Sequence, residues 1–309
     1  MHKRKLQVDG GAELVLREYV PAGKARASVV IGGAMGVQQG FYAPFARWLA
    51  EQGYRVTTFD YRGHGDSLPD TPGHTLRGFR ADLFDWTRDY EAVVCAAKDA
   101  LPEQPLYLIG HSLGAQLPGL FEQPDRVDGL FSVAAGSGYW RDNAPRLRRG
   151  VLYFWHVLVP VATRVCGYFP GRSLRKVGDL PAGVIRQWRR WCLHPRYSVG
   201  AEGAAVAERY AQVRFPVLAW SFKDDELMTL RGTRALVGFY PNAPSEVHSL
   251  GPEDVLARRI GHFGLFREHF RTSLWPKAVE ALQALEVWGG ASVTRMTAME
   301  PALAHTTQP

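Results

Sequence analysis

Ser112 lies in Gly110-His111-Ser112-Leu113-Gly114, with a glycine two residues away on each side. A serine hydroxyl is a weak nucleophile until a base removes its proton and the chain presents Oγ in the open. The G-x-S-x-G spacing does this when it joins a strand to a helix through a sharp turn whose small neighbours let the backbone reverse. The sequence around it has that form: PLYLI (105–109) reads as a buried strand, and LGAQLPGLF (113–121) reads as the start of a helix. The first N–H groups of that helix would point at the serine, where an anion can be stabilised. The motif is short enough to arise by chance, and an inert serine at a strand end would need no partners, so the rest of the chain must supply them.

A nucleophilic serine needs a base, and the base needs an acid to orient it. The chain order expected after such an elbow is Ser, Asp or Glu, then His. SFKDDELM (221–228) follows the strand-like run FPVLAW and offers Asp224, Asp225 and Glu226. Asp225 is the expected acid, because the apolar pair Leu227 and Met228 turns the loop back into the fold; Asp224 is the alternative. Three of the ten histidines follow this loop ahead of the C-terminal tail. His248 falls within the strand SEVHSL and His269 within a helical run. His262, in RIGHFGLF, stands in a loop that Gly261 and Gly264 allow to bend, and it is the expected base.

The developing oxyanion calls for two N–H donors, one from Leu113 and one from the turn after ASVVIGG (27–33). There, Gly36 as the second turn glycine favours Met35, with Ala34 as the alternative. Losing one such donor costs about 3 kcal/mol of transition-state stabilisation. The glycines of GGAMGVQQG match neither a dinucleotide nor a phosphate-loop spacing. The chemistry requires no cofactor and no metal, and the three cysteines form no CxxC.

Around these residues apolar strands alternate with helical stripes, which predicts an α/β fold with a mostly parallel, doubly wound sheet. FYAPFARWLAEQG (41–53), residues 78–101 and a closing run to about 288, bent near Pro276, read as helices; KLQVDGGAELVLREYVP reads as a hairpin. The alternation stops over residues 141–212. That segment holds thirteen Lys and Arg against four acids, a balance of +9 where the rest of the chain carries −2. The reading is therefore a core of 1–140 and 213–288, an inserted, mainly helical cap of 141–212 over the carboxyl ends of the strands, and a frayed tail from 289 to 309. The cap is rich in tryptophan, and Trp140, Trp155 and Trp188 are candidate substrate contacts. An apolar or anionic acyl compound suits that composition. The bland reading is that the aromatics pack the lid and the arginines are solvated. VLYFWHVLVPVATRVCGYF (151–169) is interrupted by His156, Pro160 and Arg164, so it reads as a lid helix or membrane-surface contact and not as a transmembrane span. No secretory leader is visible, and a cytoplasmic location is expected. RQWRRW lacks a nucleic-acid-binding fold around it, so no nucleic-acid partner is expected.

Over about residues 10–288 the chain resembles the α/β-hydrolase superfamily, a likeness that FDYRGHGDS (59–67) supports independently of the serine motif. AMGV, AAGSGYWRD and LPAGVIRQWRRWC are similar to a bacterial group of predicted α/β hydrolases without an established substrate. The superfamily resemblance carries Ser112, Asp225 and His262 over as a catalytic triad. It implies a serine hydrolase cleaving an ester or thioester through an acyl-enzyme; an acyltransferase, peptidase or amidase would use the same triad. Many relatives carry His-Gly at the oxyanion turn where this chain has Gly-Gly-Ala, which leaves the exact donor open.

Overall fold

The structure is a computed structural model that describes residues 1–68 and 75–299, with only the backbone described over 289–299. The chain begins with an antiparallel hairpin, β1 (His2–Val8) and β2 (Ala12–Tyr19). Alternation follows through β3 (Ala27–Gly32), α1 (Ala43–Glu51), β4 (Tyr54–Phe59), α2 (Leu83–Ala100), β5 (Leu106–His111), α3 (Leu113–Gln116) and β6 (Gly129–Val133). The connection from β6 to β9 (Val217–Phe222) holds the inserted segment: α4 (Pro145–Tyr153), α5 (Val159–Cys166), a small hairpin of β7 (Tyr168–Phe169) and β8 (Leu180–Pro181), α6 (Ala182–Leu193), α7 (Tyr197–Ala201) and α8 (Ala204–Gln212). The core resumes with α9 (Leu230–Val237), β10 (Ser245–Leu250) and α10 (Leu274–Met299).

The main sheet has eight strands in the order β1-β2-β4-β3-β5-β6-β9-β10, and every pairing from β4 to β10 is parallel. Its central strands are buried on both faces, which is why they read as unbroken apolar runs. Alternate residues serve two cores. Val30, Leu108 and Leu130 pack with Trp86, Tyr90 and Val93 of α2. Val29, Ile31, Ile109 and Phe131 pack with Phe45 and Leu49 of α1 and with Trp275 and Leu282 of α10.

Three helices differ from the sequence-based expectation. α2 starts at Leu83 and not near residue 78, because Asp82 accepts from the N–H groups of Phe84 and Asp85 while the Asp85 side chain accepts from Asp82 N–H. α3 stops after one turn: Pro118 interrupts it, and a 3-10 turn over Pro118–Leu120 continues the path. α10 runs to Met299 as one helix. Pro276 sits in its first turn, where a missing N–H breaks no helical bond, and the backbone stays helical through 289–299, where fraying was expected. Residues 300–309 lie outside the described residues. Among the described residues, no helix is long and apolar enough to cross a membrane.

Candidate active site

Ser112 is the hinge between β5 and α3. Its backbone is in a left-handed conformation (φ 53°, ψ −110°), which costs a non-glycine residue about 1–3 kcal/mol and persists only where surrounding contacts over-determine it. Here they do. Ser112 N–H donates to Val133 O of the neighbouring strand at 3.0 Å. A Cβ at Gly114 would stand 2.0 Å from Gly32 O, and one at Gly110 would stand 2.5 Å from the Ala115 Cα. Both glycines are therefore required by backbone packing on either side of the serine.

The three acids after β9 each take a different hydrogen-bonding task. Asp225 Oδ2 accepts from His262 Nδ1 at 2.8 Å, both side chains being almost wholly buried. Its Oδ1 accepts from the N–H groups of Leu227 and Met228, so the turn that leads back into the fold also fixes the carboxylate. Asp224, the alternative acid, accepts from the N–H groups of Ile260 and Gly261. Glu226 accepts from His262 N–H and pairs with Arg259. One carboxylate thus orients the imidazole while its two neighbours shape the loop that carries it. Donation from Nδ1 to Asp225 leaves Nε2 as the basic nitrogen. His248, by contrast, is on β10 beside Glu246, and His269 is exposed.

At the turn after β3, Ala34 N–H donates to Tyr42 Oη at 2.8 Å and is occupied. The Met35 N–H makes no hydrogen bond among the described residues. Tyr42 in turn donates to His111 Nδ1 (2.9 Å), and His111 Nε2–H donates to the carbonyl of His262 (3.0 Å). Burial, followed by the charge of nearby His262, holds His111 well below the ordinary histidine range, so it is neutral and has the one tautomer this chain of bonds needs. Tyr42 and His111 link the turn after β3, the serine elbow and the histidine loop. Nothing in the local sequence of either residue points to that role, since its partners are 69 and 151 positions away.

The FDYRGHGDS turn braces the same corner. Asp60 accepts from Gln39 N–H and Asp66 N–H, and Arg62 grips the wholly buried Asp89 of α2. Gln39 follows the turn after β3, so the motif supports that turn from behind.

The inserted segment meets the elbow directly. Gln116 of α3 accepts from Tyr197 Oη, donates to Gly136 O, and its own carbonyl accepts from Tyr210 Oη. Gln187 of α6 accepts from Leu83 N–H at the start of α2 and donates to Glu202, which also receives Trp191 Nε1 and Arg190. Burial alone would raise the Glu202 carboxyl, but these donors outweigh it and hold it below its ordinary range. Gly36, with φ +70°, faces Gly178: a Cβ on Gly36 would stand 2.4 Å from the Gly178 N. The candidate substrate tryptophans take structural contacts. Trp155 packs edge-on against Trp188 with ring centroids 5.0 Å apart; the Trp140 ring lies beneath the Arg141 guanidinium, and its backbone N–H donates to Cys192 O.

Comparison with known proteins places this geometry. The family described as "Serine aminopeptidase, S33" matches residues 23–250. A monoacylglycerol lipase of Mycolicibacterium smegmatis is 25% identical over 251 residues, covering 74% of this chain and 80% of that protein. A monoglyceride lipase of Rattus norvegicus is 27% identical over 126 residues, 40% of each. Among solved structures, a monoglyceride lipase from Saccharomyces cerevisiae superposes with a TM-score of 0.65 at 14% identity, over 91% of this chain and 94% of the other. The sheet order, the crossover insertion and the span of the family match agree: the chain belongs to the S33 family of α/β hydrolases and is a serine hydrolase.

Proposed function

We propose that the protein hydrolyses carboxylic esters of apolar acyl compounds, monoacylglycerols among them, through an acyl-enzyme on Ser112. The observation that carries this reading is the buried 2.8 Å contact of Asp225 with His262, in a loop fastened by Asp224 and Glu226 beside a serine held in left-handed geometry. In this mechanism His262 Nε2 takes the Ser112 proton as Oγ attacks the acyl carbonyl. Asp225 keeps the imidazole in the Nδ1–H tautomer and stabilises its cation. The tetrahedral oxyanion rests on the Leu113 and Met35 N–H groups. Met35 is preferred to Ala34 because the Ala34 N–H is already given to Tyr42. His262 then returns its proton to the leaving alcohol and activates water to release the acid. Residues 141–212 act as the cap that limits which acyl group enters. Trp155 and Trp188 shape that cap from within rather than contacting substrate, as their mutual packing supports. The lipase names of the curated relatives favour an ester over a thioester.

A peptidase reading uses the same triad and has the family's own description behind it. One panel separates the two: p-nitrophenyl esters, acyl-CoAs and aminoacyl amides, with Ser112→Ala as control and a separate sample of each protein labelled with an alkyl fluorophosphonate. Ester turnover and a covalent adduct that Ser112→Ala abolishes are expected. Labelling of Ser112→Ala to the wild-type extent would refute the mechanism, and turnover of amides alone would select the peptidase.

A further inference from the structure

The helical arm of the inserted segment is apolar on two opposite sides. α4, a π turn over Phe154–Leu158 and α5 run without a break from Pro145 to Cys166. Val151, Trp155, Val159 and Thr163, spaced by four, face the protein and are at most 4% exposed. Tyr153, Val157, Val161 and Val165, also spaced by four, are 44–68% exposed. The two series are offset by two residues, about 200° around a helix, so they lie on opposite faces. Spacing by four drifts forward around an α-helix by about 40° per step; the wider π turn between Tyr153 and Val157 takes up part of that drift and keeps the outer row together. A helix apolar on both sides is normally covered on both.

The charge around the outer row indicates what covers it. Arg146, Arg149 and Arg164 are exposed on the same arm and have no carboxylate partner among the described residues. The segment as a whole carries +9. A second copy docking on this face would bring two such arginine clusters together, whereas anionic headgroups would neutralise them. We propose that this face seats the inserted segment on an anionic lipid surface, the arm lying in the headgroup plane with the outer row dipped into the acyl boundary and the arginines among the phosphates. The loop between β7 and β8 that follows this arm reaches the turn after β3 at Gly178. The idea deepens the ester-hydrolase reading above and rests on it for its purpose, though not for its test.

The test is co-sedimentation of the full chain with phosphatidylcholine vesicles, with and without roughly one-third phosphatidylglycerol, at low and high salt. Wild type is expected to pellet with the anionic vesicles, less so at high salt, and poorly with phosphatidylcholine alone. The quadruple variant Tyr153→Ser, Val157→Ser, Val161→Ser, Val165→Ser is expected to bind about thirtyfold more weakly or worse. Arg146→Gln, Arg149→Gln, Arg164→Gln should lose the preference for anionic lipid. Turnover of a water-soluble p-nitrophenyl ester by the same preparations should be unchanged, which shows that the variants are folded. Wild type that stays in solution, or a quadruple variant that pellets like wild type, overturns the proposal. So does a wild-type dimer in sedimentation velocity that the quadruple variant converts to monomer without lipid. Absence of ester turnover in wild type would instead count against the hydrolase reading, since pelleting is measured without it.

Discussion

The carboxyl edge of the sheet and the segment inserted above it are held by different physics. At the edge, carboxylates bind backbone: Asp224, Asp225 and Glu226 between them receive the N–H groups of Ile260, Gly261, His262, Leu227 and Met228. Each loop is fixed by several short bonds to groups that cannot rotate away. In the insert, order comes from aromatic edges and from side chains that meet side chains. Glu202 alone receives Gln187, Trp191 and Arg190. The first arrangement fixes the Asp225–His262 pair through backbone; the second concentrates the order of the insert in a few side-chain contacts.

Three measurements sharpen or break that contrast. The largest effect is expected for Asp225→Asn. The amide keeps an acceptor for Leu227 and Met228 but no longer fixes the useful tautomer of His262, so kcat should fall by about 10⁴ while the melting temperature barely moves. An equal loss of stability and activity would mean that the edge is not the rigid frame described. Glu202→Ala should do the reverse. It strands two buried donors, Gln187 and Trp191, and should lower stability by about 2–3 kcal/mol in denaturant unfolding, with a modest loss of turnover. No change in stability would remove Glu202 as the centre of the insert. The smallest effect is in pH. His111 and His64 are both held below the ordinary histidine range, chiefly by burial. The unfolded chain binds more protons below about pH 6.5, so stability falls as pH falls from there towards 5, by up to about 1.4 kcal/mol per pH unit for each histidine. His111→Gln should flatten part of that slope in unfolding curves at pH 7.5 and 5.5; an unchanged slope would assign it elsewhere.

The contrast also explains what could be read from the sequence. The place of Ser112 at the turn after β5 and the meeting of Asp225 with His262 were legible because an elbow constrains near neighbours, and because the acid and base are expected after strands in a set order. The start of α2 was readable too, since Asp82 and Asp85 are spaced as a capping box, yet the apolar stripe drew the boundary too early. The end of α3 was overrun because an apolar run hid Pro118. Tyr42, His111, Gln116 and Gln187 were not legible, because each works by a bond across a large part of the chain that no local pattern records. The insert is the extreme case. Its tryptophans and arginines announced a distinct segment, but which faces inward is settled only once Trp155 meets Trp188.

The meeting of Gly36 and Gly178 has a bearing on how such a protein can change. The two backbones approach where the turn after β3 meets the insert, with no room for a side chain on either residue. Mutation elsewhere in residues 141–212 can then exchange bulk, charge or aromatic surface without altering the fit at that point. The side chains of the insert are free to vary over generations while that backbone junction beside the turn after β3 stays as it is.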